Sequence, residues 1–403
     1  MGETAIKSKL KITVWGINYA PELTGIAPFN AALCDYLVKR GYDVEMVTSF
    51  SYYPEWRKSS ADEGVVFRTD MQDGVCVRRC WLYVPTKVGS VKRILHEASF
   101  VTLSFLRILT LRRPNLFVVV SPPLLLGVAA WLASVIKRAP FVFHVQDLQP
   151  DAAIGLGMLR QSWLTRILYW MERFAYAKAA RVSGISRGML EMFRKKGVPD
   201  RKLVYFPNGV KLPLELPNRG GFRGQHEIPE DAFLAVYSGN LGVKQGLDVL
   251  INAATLLTVT VAAGAETNNC VNPAIRIVIA GEGARRAHLS ELVARSKLDN
   301  VLLLPLLPDN AYRQMLADAD CIVITQQAGT GAFFFPSKLL TALAAGKPVV
   351  TVADESSELA KALAVGGFGL NVPPNDPPAL AAAIRYLAGA AERVRNSVTT
   401  SIV

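Results

Sequence analysis

Over the first fifty residues the apolar positions run continuously, then recur at helical spacing, then run continuously again. Residues 12–15 read as a buried strand, Phe29, Leu33, Tyr36 and Leu37 share one helical face, Gly41 closes that helix, and residues 44–48 form the next strand. A strand, a glycine-containing loop and a helix open a doubly wound α/β domain. Further strands are expected at 116–120, 141–145 and 204–206, with helices between them. "FPNGVKLPLELPNRGGFRGQHEIPEDA" then breaks the pattern with prolines, glycines and charges, which puts a domain boundary near residues 208–232. Beyond it the alternation returns more cleanly. Strands are expected at 233–237, 275–280, 301–304, 321–325 and 348–352, with helices beginning near Leu247, Ala284, Asn310, Ser337 and Ser357. The stretch 258–274 reads as a surface insertion. The fold class is therefore α/β: two Rossmann-like doubly wound domains, 1–210 and 211–403, facing a cleft.

Composition sharpens this picture in three places. The chain has 403 residues, 51% apolar and 19% charged, too many for one ordinary core and enough for two. "LFVVVSPPLLLGVAAWLASVI", residues 116–136, carries no charge over a length that could span a bilayer. Pro122-Pro123 splits it, and a buried strand followed by a helix is the expected outcome. The formal charge of +12 is unevenly placed: residues 1–210 hold 29 Lys and Arg against 16 Asp and Glu, and the remainder hold 16 against 17. Five scattered cysteines without a CxxC pair, and an N-terminus without an apolar signal core, point to a reduced, cytoplasmic compartment. Four dispersed histidines give no metal-ligand pattern, so no metal is expected.

Ligands of open parallel sheets bind beyond the carboxyl ends of the strands, so chemistry is sought in those loops. In the second half, "SGNLGVKQG" sets Lys244 among Gly239, Gly242 and Gly246, glycines that let backbone amides approach an anion. "AGEG" follows the next strand, where Gly281 and Gly283 leave room for a planar base or a ribose. "PSK", Pro336 to Lys338, opens a helix whose amides and dipole form an anion site. Each is a weak signal alone, since a glycine loop is more often only a turn. Together, beside a lysine, they point to a nucleotide diphosphate. No GxxxxGK[ST] occurs, and GxGxxG is missing from the first βα turn, so ATP hydrolysis and nicotinamide redox chemistry lose ground. In the first half, Gly25 precedes a helix at the top of the first strand. His144 and Asp147 follow a buried strand on one turn, a candidate sugar or acid–base contact against the blander reading of a structural histidine.

"PELTGIAPFNAALCDYLVKRGYDVEMVTS", "HVQD", "FPNGV", "SGNLGVKQGLDVLI", "AGEG", "FFPSKLLTALAAGKPVV" and "GFGLNVPPNDPPALAAAIRYL" occur in that order. In this the chain resembles the family 4 glycosyltransferases over nearly its whole length. It is most similar to the bacterial branch that builds colanic acid and O-antigen, which includes fucosyl- and N-acetylfucosaminyltransferases. The resemblance implies a GT-B fold and retaining transfer of a sugar from a UDP- or GDP-linked donor, with no cofactor and no metal. It implies that Lys244 neutralises the donor diphosphate and that the helix start at Pro336, Ser337, Lys338 and Leu339 cradles the same group. It also implies that Gly25 lies near the phosphates and His144 near the transferred sugar.

The departures from the family matter as much. Phe333 and Thr341 stand where the family commonly has two glutamates, and Asn240 stands where it has an arginine. Thr341 can still hydrogen-bond a hydroxyl, and the diphosphate, whose developing charge is usually the largest catalytic term, keeps a lysine and a helix start. The family's closing helix crosses back to the first domain, and this chain stops at "NSVTTSIV", so a shortened tail and a looser hinge are expected. The two basic, apolar segments 90–115 and 157–182 read as amphipathic helices for an anionic inner-membrane surface, or as ordinary core-facing helices with a solvated basic side. The expected partners are thus a nucleotide-sugar donor, a lipid-linked saccharide acceptor and the inner face of the cell membrane, and not nucleic acid. The competing readings are a non-catalytic donor-binding partner of another transferase and a nucleotide-sugar epimerase of the same fold, the latter short of carboxylates for its proton transfers.

Overall fold

The computed structural model describes residues 9–22, 25–53, 56–86, 89–155, 163–210, 215–258, 273–331 and 336–400. The chain separates into two compact units, Met1–Gly209 and Val210–Val403.

In the first unit the strands are β1 (Lys11–Trp15), β2 (Asp43–Ser49), β3 (Phe67–Gln72), β4 (Val75–Cys80), β5 (Leu116–Ser121), β6 (Phe141–Val145), β7 (Arg181–Gly184) and β8 (Leu203–Tyr205). The helices are α1 (Ala27–Lys39), α2 (Ser90–Thr110), α3 (Leu125–Lys137), α4 (Gln149–Gly155), α5 (Trp163–Lys178) and α6 (Arg187–Lys195). The sheet order is β3-β4-β2-β1-β5-β6-β7-β8. Every pairing is parallel except β3 with β4. That hairpin is absent from the sequence reading, although Asp73-Gly74 at its turn, both at positive φ, is a two-residue hairpin signal. Successive residues of β1 feed opposite helix layers. Ile12 and Val14 join Cys34 of α1 in one buried cluster, while the fully buried Trp15 donates its indole N–H to Ser104 of α2 at 2.9 Å. The uncharged segment at 116–136 divides as expected, β5 ending at Ser121 and α3 starting at Leu125. Among the described residues, no helix is long and apolar enough to cross a membrane.

The second unit holds α7 (Gly221–Gln225), β9 (Phe233–Ser238), α8 (Asp248–Thr258), β10 (Ile275–Ala280), α9 (Arg286–Arg295), β11 (Val301–Leu304), α10 (Asp309–Asp318), β12 (Cys321–Thr325), α11 (Lys338–Ala344), β13 (Val349–Val352), α12 (Glu358–Gly366), β14 (Gly369–Val372) and α13 (Pro377–Thr400). Its sheet order is β11-β10-β9-β12-β13-β14, all parallel. Phe233, Ala235 and Tyr237 of β9 pack with residues of α8 and α13, and Leu234 and Val236 pack with those of α10, α11 and α12. The order of connection reverses between β9 and β12, which makes the carboxyl end of β9 a switch point where open sheets take ligands. The expected insertion at 258–274 lies almost wholly outside the described residues. The final helix, α13, packs on α8, β13 and β14.

Candidate functional site

Three loops of the second unit interlock at the end of β9. Tyr237 is fully buried, donates its hydroxyl to the Asn240 carbonyl at 2.7 Å and accepts a hydrogen bond from Lys338 Nζ. The same ammonium lies 3.8 Å from the centre of the Tyr237 ring. The lysine reaches Tyr237 because Gly239 has no side chain: a Cβ there would fall 2.6 Å from Lys338 Cε, and the residue sits at a φ of +127°. Lys244, on the short turn Val243–Gln245, acts electrostatically on Lys338. Burial first, and the Lys244 charge second, pull the Lys338 amine down to about 7. No carboxylate is among the groups that shift it, and Asp248 is already held by Arg285 at 2.6 Å and by His288 at 3.1 Å. A buried amine crowded by a second lysine, with no acid acting on it, gains from an anion.

Several expectations about this site change. The amides of Gly239, Gly242 and Gly246 donate to the Ala280 carbonyl, Gln245 Oε1 and the Val243 carbonyl, so the loop presents its lysine rather than these three amides. At Gly281 and Gly283 the missing side chain makes room for neighbouring backbone. A Cβ on Gly281 would lie 1.8 Å from the Gly239 carbonyl oxygen, and one on Gly283 would lie 2.6 Å from that of Leu241. Their bareness lets the two loops close on each other, tied by Leu241 N–H to Glu282 O and Arg285 N–H to Leu241 O, both at 2.8 Å. The helix start is also weaker than expected. α11 has seven residues, the amides of Leu339 and Leu340 already donate to Pro336 and Ser337, and the Ser337 side chain makes no cap. The Leu339 side chain is core. Thr341 is hydrogen-bonded to the Tyr312 hydroxyl, within its own unit. Asn240 is exposed, and Phe333 lies outside the described residues.

In the first unit the expected pairing of His144 with Asp147 is not formed. His144 belongs to strand β6, not to a turn, and is 2% exposed. Its Nδ1 meets Ser183 Oγ at 2.9 Å and its Nε2 meets Gln146 Nε2 at 2.8 Å. Gln146 in turn exchanges two hydrogen bonds with Asn208, at 2.9 and 2.8 Å. An amide N–H on Nε2 requires that nitrogen to accept, so the proton sits on Nδ1, facing Ser183. Burial lowers the imidazole to about 4, which keeps it neutral. A neutral ring with both nitrogens occupied positions its neighbours; it cannot take a proton without displacing Gln146. Asp147, half-buried, acts electrostatically on Tyr53, whose ring edge would lie 3.6 Å from a Cβ on Gly25, itself at φ +68°. Glu22, 6% exposed, accepts from the amides of Tyr52 and Tyr53 at 2.9 and 3.0 Å and from Asn18 at 2.8 Å. Gly25, Tyr53 and Asp147 thus gather beyond the carboxyl ends of β1, β2 and β6. Sequence reasoning missed Tyr237, Gln146, Asn208 and Glu22. Tyr237 ends an apolar strand, which reads as core, and the other three stand inside the quoted motifs without a spacing that marks them.

Known proteins match both units. A model of the glycosyl transferase 4-like domain matches residues 24–209, and one of the glycosyl transferases group 1 matches residues 218–396. A protein of Escherichia coli (strain K12) named as a colanic acid biosynthesis glycosyl transferase, WcaI, is 31% identical over 387 residues, covering 93% of this chain and 91% of its own. Among solved structures, sucrose-phosphate synthase from Thermosynechococcus elongatus superposes with a TM-score of 0.69 at 18% identity, over 96% of this chain and 94% of that one. Anabaena HepE in complex with UDP superposes with a TM-score of 0.63 at 15% identity, over 97% of this chain and all (100%) of that one.

Proposed function

The chain belongs to the family 4 glycosyltransferases, of GT-B fold, and on that premise we propose that it moves a sugar, with retention, from a UDP- or GDP-linked donor to a lipid-linked saccharide. The transfer serves surface polysaccharide of the colanic acid type, at the cytoplasmic face of the inner membrane. The observation that carries this reading is the pair Lys244 and Lys338, brought together at the switch point of the second unit with no acid acting on Lys338. The relative WcaI is named for colanic acid biosynthesis, and HepE, similar in fold, binds UDP.

The donor diphosphate, bound against the two lysines, draws a proton onto Lys338. As the bond from the sugar to the diphosphate breaks, the leaving oxygen gains charge that both ammonium groups stabilise. The acceptor hydroxyl attacks from the same face, and its proton passes to the leaving phosphate, whose basicity near pH 6 suffices. That route needs no base from His144, whose acceptor nitrogen is occupied. The acceptor belongs to the first, basic unit, beside Gly25, Tyr53 and Asp147.

Calorimetric titration with UDP-glucose and GDP-fucose, for wild type and Lys244→Ala, tests the donor site. Transfer of labelled sugar to extracted lipid-linked acceptors then tests the reaction. Binding of one diphosphate class, lost in the variant, followed by labelled lipid with the anomer retained, is expected. Binding without transfer to any lipid-linked acceptor overturns the acceptor assignment, and inversion overturns the retaining step.

A further inference from the structure

Helix α5 presents an outward stripe unlike a solvated helix face. Trp163, Ile167 and Trp170 are 72%, 43% and 56% exposed and recur at helical spacing. Arg166 lies among them and Arg173, Ala177 and Lys178 follow, all exposed, while the only acid of the helix, Glu172, is buried against Lys196 and Tyr176. Helix α3, which carries no acid, packs between α2 and α5. It turns Leu132, Val135 and Ile136 outward, at 42%, 57% and 52% exposure. Aromatic rings join the two helices: Trp170 stacks on Phe174 at 5.4 Å within α5, and Phe174 meets Trp131 of α3 edge to face at 5.1 Å, with Lys178 near both Trp131 and Phe174.

We infer that the outer face of α3 and α5 is where the protein docks on an anionic lipid surface. This gives a location to the membrane contact of the proposal above and rests on that reading. Tryptophans and aliphatic side chains enter the headgroup boundary, while arginines among them reach lipid phosphates. Charge decides the occupant. The unit carries 29 basic against 16 acidic residues up to position 210, and a second copy docked by two-fold symmetry would set this acid-free face against itself. Of the two basic segments, α5 contributes to this face, and its partner there is the acid-free helix α3; in α2, Arg107 reaches Thr69 and Phe67 and Arg93 pairs with Glu97.

The test uses the whole chain and vesicles of phosphatidylcholine, with and without phosphatidylglycerol, read by co-sedimentation and by quenching of tryptophan fluorescence with brominated lipid. Wild type is expected to favour the anionic vesicles at least tenfold, since each arginine near such a surface contributes about fivefold. Ile167→Glu with Val135→Glu, exposed positions that leave the ring stack intact, should lower binding about tenfold or more. Arg166→Gln with Arg173→Gln should reduce the anionic preference without abolishing quenching. Val365→Glu, on the second unit and 91% exposed, should change nothing. Equal sedimentation of wild type with both vesicles, or unchanged binding in the α3–α5 variants, overturns the inference. So does a concentration-dependent dimer that the same variants dissolve. Titration with UDP-glucose and GDP-fucose in the absence of vesicles separates the two proposals: intact donor binding with failed docking sinks only this face, and docking without donor binding sinks only the transferase site.

Discussion

Replacing Lys338 by methionine keeps most of the side-chain volume over the Tyr237 ring and removes the charge. In the unliganded protein the amine is held at about 7 by burial and by Lys244, so at neutral pH roughly half the molecules carry it uncharged. A bound diphosphate restores the ordinary preference for the ammonium, and binding therefore takes up a proton. If the liganded value is about 9, donor affinity falls about tenfold between pH 6 and pH 8, about 1.4 kcal/mol. At pH 7 about half a proton is absorbed per donor bound, which makes the calorimetric enthalpy depend on the ionisation enthalpy of the buffer. A nucleotide sugar is the right probe, because its diphosphate diester does not titrate in this range whereas free UDP, with a phosphate pKa near 6, does. Lys338→Met should flatten the pH profile, abolish the buffer dependence and weaken binding at pH 6 by about 1.5–3 kcal/mol, the worth of one charge-assisted hydrogen bond. The sign for stability is opposite. The folded value lies below the unfolded 10.5, so the stability this group contributes is full above pH 10.5 and lost as pH falls to about 7. The unliganded variant should melt higher than wild type at pH 7, each kcal/mol relieved appearing as about 3 °C. A wild-type affinity flat from pH 6 to pH 8, with buffer-independent enthalpy, refutes the reasoning.

Three further outcomes are expected. Gly281→Ala drives a methyl group onto the Gly239 carbonyl oxygen, 1.8 Å from the ideal Cβ, and should cost about 3 kcal/mol in urea unfolding together with donor affinity. Asp318, fully buried, accepts from the amides of Phe222 and Arg223 at 2.8 and 2.9 Å; Asp318→Ala should cost about 3 kcal/mol and leave vesicle binding untouched. His144 is lowered to about 4 from 6.5, so wild type should lose about 2 kcal/mol between pH 7 and pH 5 as the unfolded chain takes up the proton first, a loss absent from His144→Gln.

Local pattern alone determined the alternation of strand and helix, because a strand buried on both faces must be a continuous apolar run and its helices must show one apolar stripe. β6, β10, β11 and β12 fall at the residues expected. The position of chemistry beyond the strands followed from the same logic, as did Lys244 among its glycines. What the chain could not show by itself is which residues from distant segments meet. Lys338 reads as the opening of a helix, and only folding brings its amine over a tyrosine 101 positions earlier and beside Lys244. Gly281 reads as room for a ligand, and only the packing of its loop against Gly239 makes it a place where two backbones touch. His144 invites an acid–base partner in its neighbour Asp147, yet on a strand residues two apart share a face, so its partner is Gln146 and, through it, Asn208, 62 positions away. Spacing along a chain sets which face a side chain takes; the charge it carries and the partner it finds depend on what the other faces bring within a few ångströms, and that is decided in three dimensions.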